Sequence, residues 1–199
     1  MSIPKSFNDL VNNLTILPGV GEKTAERYVY SLYERDYEEV ENLANSLIDF
    51  KKNIKNCKIC GCLSDYDICD ICNDKSRDIK TLCIVEDSKS VFFIEKTKKY
   101  NGLYHVLNGL ISPIDGKNPE DLNISSIINN RINDNLSEII IALNPSIEGE
   151  VTSMYIKKIL EKYNIKISRL SYGIPMGSDI EYLDPMMVSK AWDDRKVIS

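Results

Sequence analysis

Four cysteines carry the sharpest chemical signal in this chain of 199 residues. Cys57-x-x-Cys60 and Cys69-x-x-Cys72 are two short turns separated by eight residues, and each presents two thiols on one side of a knuckle. Paired, they supply the tetrahedral all-sulfur set that Zn²⁺ prefers, and a closed set leaves no position for water, so the metal is structural. The alternative is a pair of redox CxxC motifs or unconnected thiols. Around these cysteines lie many Asp and Lys and few apolar residues, so metal binding has to supply the folding free energy of the segment. Cys62 and Cys83 are left over, and Cys83 reads as a buried thiol within a strand.

A second signal is Leu17-Pro18-Gly19-Val20-Gly21 followed by Glu22-Lys23-Thr24-Ala25-Glu26-Arg27. It reads as a helix-hairpin-helix. Gly19 and Gly21 permit positive φ and close backbone approach, and the free N–H groups at the next helix start can hold a DNA phosphate. Lys23 and Arg27 stand four apart on one helix face beside the turn. Contacts of this kind go to the backbone and read no sequence. The alternative is a tight helix connection with no ligand.

The third is acidic. Leu82-Cys83-Ile84-Val85 runs into Glu86, and Ile139 to Leu143 runs into Asn144-Pro145-Ser146-Ile147-Glu148-Gly149-Glu150. These stretches resemble the Toprim fold of topoisomerases, primases and some nucleases. In its catalytic members a strand-end Glu and an Asp-x-Asp pair hold Mg²⁺ by oxygen ligands. Here Asn144 and Ser146 stand at the two aspartate places, which removes two negative charges from the metal site. The resemblance therefore implies a scaffold without catalysis. Glu86, Glu148 and Glu150 remain as an acidic surface for a basic protein partner or a residual metal site; alternatively, Glu148 and Glu150 serve the N-terminus of the following helix.

The elements that must position these residues change character twice along the chain. Phe7, Leu10, Val11 and Leu14 recur at helical spacing, a second helix is predicted over 22–33, and a third from Asp36, with Asp36 and Glu39 as a capping box. From Thr81 onward strands predicted at 82–85, 103–107, 139–143 and 167–170 alternate with helices at 88–99, 119–132 and 148–163. That alternation implies a largely parallel α/β sheet. The predicted order is a helical head over 1–55, a zinc finger over 56–78, an α/β body over 79–173 and a C-terminal region over 174–199.

Composition excludes several classes. A net charge of −5 and a pI near 5.1 argue against a surface that grips nucleic acid everywhere. Sorted by segment, residues 1–56 carry seven basic and nine acidic groups, and 57–80 four and five. No part is basic, so DNA binding by one copy is expected to be weak and salt-sensitive. The longest apolar run is strand-sized, so no membrane span is expected, and the N-terminus lacks a signal-peptide core. Cysteines in such a chain point to a reducing, cytoplasmic setting. The single histidine, His105, has no nucleophile or acid at motif spacing, which speaks against a histidine-based triad.

The order helix-hairpin-helix, four-cysteine finger, Toprim with Asn-Pro-Ser-x-Glu-Gly-Glu resembles the bacterial recombination mediator family RecR. Tyr104 to Gly116, Pro119-Glu120-Asp121-Leu122 and Gly173 to Asp184 extend the likeness over essentially the whole chain. The resemblance implies a DNA-repair factor without catalysis of its own. It implies a tetrameric ring built through exchanged N-terminal regions and C-terminal contacts, acting with RecO and RecF to help load RecA onto single-stranded DNA at gaps. By position, Lys23 and Arg27 match DNA-contacting residues, the four cysteines match zinc ligands, and Glu86, Glu148 and Glu150 match the region associated with RecO binding. The chain departs from the family at Asn108, where glycine is common, and in its tail, where Pro185-Met186-Met187 and Ala191 to Lys196 replace a glycine-rich and arginine-rich end. The competing reading is an enzyme, a metal-dependent nuclease or primase that uses Glu86, Glu148 and Glu150.

Overall fold

The computed structural model describes residues 3–171, 173–175 and 177–195. Met176 of the C-terminal block and Lys196 of the tail lie outside the described residues. The chain divides into two compact units, residues 1–53 and 54–199.

The first unit holds α1 (Lys5–Leu14), α2 (Glu22–Tyr33) and α3 (Tyr37–Asn53). Val11 of α1 packs on Ala25 and Val29 of α2, with Phe7, Leu14 and Val20 around them. This core is small, and α3 buries none of its residues. The expected capping box is replaced: Glu39 takes Arg35 Nη1 at 3.4 Å, an i,i+4 pair on the exposed surface.

In the second unit β1 (Lys55–Asn56) and β2 (Leu63–Ser64) pair antiparallel and hold the first knuckle, and the short α4 (Asp70–Asn73), capped by Cys69 and containing Cys72, forms the second. The body is a four-stranded sheet of β3 (Asp78–Val85), β4 (Gly102–Val106), β5 (Glu138–Ala142) and β6 (Lys166–Arg169). Its order is β4-β3-β5-β6 and every pairing is parallel. The crossovers carry α5 (Ser88–Thr97), α6 (Ser125–Asn130) and α7 (Ile147–Leu160), and α8 (Pro185–Asp193) closes the chain.

The pleat sorts the core. Leu82 and Ile84 of β3 face one side with Ile127, Ile139, Ile141, Ile156 and Leu160. Cys83 and Val85 face the other with Val91, Tyr104, Val106 and the knuckle cysteines. Alternate side chains of one strand thus serve two layers. Cys83 is buried there, and burial pushes its thiol up to about 12. Arg77, almost enclosed, forks onto Glu95 of α5, and Tyr104 donates its hydroxyl to Glu95 Oε1 at 2.7 Å.

The predicted helix over 119–132 breaks in two. Residues 119–121 form one 3₁₀ turn, and α6 begins only at Ser125. Between them Asn123 leaves the helical path to bond β4: its N–H donates to Leu107 O at 3.0 Å and its Nδ2 to Val106 O at 3.0 Å. Satisfying an edge strand outweighs continuing the helix. Asn108 has φ +63, the left-handed conformation that glycine adopts without strain and asparagine tolerates, which accounts for its place in that loop.

His105 is fully buried in β4. Its Nε2 donates to Asn123 O at 2.6 Å and Ser126 Oγ lies at 3.3 Å, while Nδ1 has no partner among the described residues. Burial lowers its pKa to about 4, with Arg131 acting in the same direction and Asn123 O opposing. A histidine buried neutral contributes stability that is complete above the unfolded value near 6.5 and lost as pH falls toward 4. Urea unfolding in excess zinc is expected to show about 2 kcal/mol less stability at pH 5 than at pH 6.5 from this group. The difference is read against His105→Gln, whose profile lacks that slope.

Candidate metal centre and nucleic-acid interface

The knuckles are built from backbone. Cys57 N donates to Cys62 O at 2.7 Å and Gly61 N to Cys57 O at 2.9 Å, which closes the first turn, with Gly61 at φ +78. Backbone N–H groups also aim at sulfur: Cys62 N reaches Cys60 Sγ at 3.4 Å and Cys69 N reaches Cys57 Sγ at 3.3 Å. Such bonds favour thiolate over thiol. The Sγ atoms of Cys57, Cys60, Cys69 and Cys72 all lie within 4.8 Å of one another, and Cys60 and Cys69 are 3.5 Å apart. Zinc–sulfur bonds of about 2.3 Å in a tetrahedron put the sulfurs about 3.8 Å apart, so the four fit one Zn²⁺. Hydrogen bonds shared with Cys69 and Cys72, together with burial, push the Cys60 thiol far up, while Cys69, accepting from Cys60, is pulled down. Thiols this close share protons rather than ionise together, and only a divalent cation holds all four as thiolates. The set is closed and its ion structural. Among the described residues it is the one cluster of three or more metal-ligating side chains.

The segment has no core of its own, as its composition implies, and borrows one. Val106 N donates to Cys60 O at 2.7 Å and Leu63 N to Ser88 Oγ at 2.9 Å. A Cβ on Gly61 would meet Asn123 Nδ2 at 2.7 Å and Val106 O at 2.9 Å, so the first knuckle lies flush on the edge strand. Asp67 clamps Lys55 and Lys58 at 2.9 and 2.6 Å, which lowers its carboxyl to about 2. Sequence reasoning missed Asn130 and Arg131. Asn130 Nδ2 approaches Lys58 O and Ile59 O at 3.4 Å each, and Arg131 Nη2 lies 3.0 Å from Cys72 Sγ. They stand 59 to 72 positions along the chain from these partners and carry no motif.

In the first unit Val20 N donates to Leu17 O at 3.1 Å, closing the hairpin turn. Of its two glycines only Gly19 takes positive φ, +79; Gly21 is extended and caps α2 without a side chain. Nothing stands within 4 Å of where a Cβ on either would be, so their backbone is open to a ligand. Lys23 and Arg27 lie on α2 beside the turn, and among the described residues neither pairs with a carboxylate. Arg27 lies 5.7 Å over the ring of Tyr28.

In the body, Glu86 follows β3 and Asn144 follows β5, the adjacent strands from which the chain crosses over in opposite directions. This is the switch point where open α/β sheets bind ligands. Asn144 Nδ2 donates to Glu86 Oε2 at 2.7 Å. Ser146 accepts from Gly149 N at 3.1 Å and caps α7. Glu150 pairs with Arg169 Nη1 at 3.2 Å and with Lys190 Nζ of α8. Glu148 lies in the first turn of α7. The three glutamates sit at the carboxyl end of the sheet but, among the described residues, do not converge as a metal-ligating group.

Comparison with known proteins covers every part of this arrangement. Three family models described as RecR match the chain: the helix-hairpin-helix at residues 7–51, the four-cysteine zinc finger domain at 54–74 and the C-terminal region at 173–196. A Toprim domain model matches 80–171. "Recombination protein RecR" from Staphylococcus aureus strain MRSA252 is 44% identical over 191 residues, 96% of either chain. The proteins of that name from strains Newman and USA300 match to the same extent. The chain belongs to the RecR family. Its RecR zinc finger and its Toprim body share one core, and among the described residues no helix is long and apolar enough to cross a membrane.

Purified protein is expected to hold one zinc per chain by atomic absorption. Cys60→Ser is expected to lower that content and the melting temperature by roughly 10 °C or more. Gly61→Ala, which removes no ligand, is expected to lower the melting temperature alone.

Proposed function

We propose that this chain is a recombinational DNA-repair factor, a ring-forming DNA-binding protein that acts with RecO and RecF to help load RecA onto single-stranded DNA at gaps. It works without catalysis of its own, in the cytoplasm at the nucleoid. The observation that carries the absence of catalysis is the use of the switch-point side chains. Asn144 gives its amide to Glu86, and the Ser146 hydroxyl oxygen is taken up in the α7 cap. A neutral amide and hydroxyl engaged in this way supply none of the anionic oxygen that Mg²⁺ demands.

The DNA contact is assigned to the hairpin turn: Gly19 and Gly21 leave backbone open, and Lys23 and Arg27 add two cations beside it. Two cations among acids hold DNA weakly, so several copies must act together. The head is suited to that. Leu43, Leu47, Ile48 and Phe50 of α3 are exposed, and Phe7, Leu10, Val29, Tyr33 and Val40 help line an open apolar groove of about 910 Å³. Exchange of α3 between copies would cover both, and it is this uncovered apolar surface that supports a ring, tetrameric and completed by C-terminal contacts. Glu86 and Glu148 offer the acidic surface for RecO. Glu150 is assigned to the same surface, although Arg169 and Lys190 already pair with its carboxylate and leave it little negative potential to offer.

Fluorescence anisotropy with labelled DNA over a salt series tests the assignment. The double variant Lys23→Ala with Arg27→Ala is expected to bind at least tenfold more weakly and to reduce the log–log salt slope by about two per engaged copy. Unchanged binding overturns the hairpin assignment. Light scattering is expected to give a particle larger than one chain, and a monomer at all concentrations overturns the ring. Mg²⁺-dependent DNA cleavage that is abolished by Glu86→Gln would replace this reading with the enzymatic one.

A further inference from the structure

We propose that Arg131 is a positioning residue of the zinc centre, a buried cation that offsets the charge of the four thiolates and fixes the second knuckle against the sheet. Four thiolates and one Zn²⁺ carry a net charge of −2. That charge sits on three buried cysteines and one half-buried one, where water screens it poorly and an uncompensated ion is costly. Arg131 ends α6 and is only 6% exposed. Among the described residues no carboxylate pairs with it. Its Nη2 lies 3.0 Å from Cys72 Sγ and 2.6 Å from Tyr104 O, and its Nε is enclosed with no acceptor among the described residues. A buried guanidinium without a carboxylate needs anionic charge nearby, and the sulfur set is the anion it touches.

The geometry makes Arg131 a bridge. Cys72 belongs to the second knuckle and Tyr104 to β4, so one nitrogen, Nη2, joins metal ligand and strand. The preceding residue, Asn130, reaches the Lys58 and Ile59 carbonyls of the first knuckle. The end of α6 therefore touches both halves of the centre. An N–H donor on a ligand thiolate withdraws charge from sulfur and lowers its affinity for protons and electrophiles. Loss of such outer partners typically weakens metal retention 10- to 100-fold.

The test is the rate at which the full-length, zinc-loaded protein yields its metal to a chromophoric chelator in excess. Arg131→Gln, neutral but able to bond Tyr104 O, is expected to release zinc about 10- to 100-fold faster than the parent. Arg131→Lys, which keeps the charge, is expected to stay within about threefold, since both contacts come from one nitrogen that an ammonium with three donors can replace. Parental release by Arg131→Gln overturns the proposal, and so does equal acceleration in both variants, which would make the effect one of packing. Should Arg131→Gln fail to fold, Arg131→Lys decides alone: release within about threefold of the parent is expected, and faster release overturns the role of the charge. A parent without zinc would instead fail the metal assignment itself.

Discussion

The contact between the zinc knuckles and the edge of the parallel sheet is the constraint on which the second unit depends. A segment with so few apolar residues cannot bury itself, so its cysteines enter a core already formed by Cys83, Val85, Val91, Tyr104 and Val106. Val106 N bonding Cys60 O closes the unpaired side of β4, which would otherwise expose a row of edge groups. The zinc finger and the Toprim body are therefore one folding unit joined by a shared layer and a shared strand edge, with the metal supplying rigidity at the seam.

The same sheet places the acidic residues. Reversal of strand order between β3 and β5 brings Glu86 and Asn144 together, and in a catalytic relative that convergence would concentrate negative charge for a cation. Here Glu86 and Asn144 converge with one formal charge between them. One amide donates to Glu86, one hydroxyl serves the helix, and one carboxylate ties α7 to β6 and α8 through Arg169 and Lys190. This corner of the sheet is thus a structural joint, with Glu86 and Glu148 beside it.

The net charge of −5 first speaks against DNA, and its distribution makes the case narrower. In the head, Lys23 and Arg27 stand beside a turn that is open to approach. A head with a core of three buried residues and a long helix that buries nothing suits association with further copies.

Local chemistry made much of this legible. Spacing alone located the four thiols, because a CxxC turn brings its sulfurs together whatever surrounds it. Helix periodicity gave 22–33 to the residue, and β-branched runs placed all four body strands within a few positions. That Asn144 and Ser146 are neutral was legible because charge is a property of residue type. The failures lie where partners are distant in sequence or where neighbours compete. The helix over 119–132 is broken by Asn123 reaching β4, the capping box at Asp36 loses its glutamate to Arg35, and positive φ in the hairpin falls to Gly19 alone. Arg131, Arg169 and Lys190 carry no motif; they acquire meaning only when the sheet and its crossovers bring them to a sulfur or a carboxylate. Residue type and near spacing thus determined which chemistry is available in this protein. Tertiary structure decided which of those groups are already engaged, because hydrogen bonds and ion pairs form over a few ångströms of space regardless of the length of chain between them.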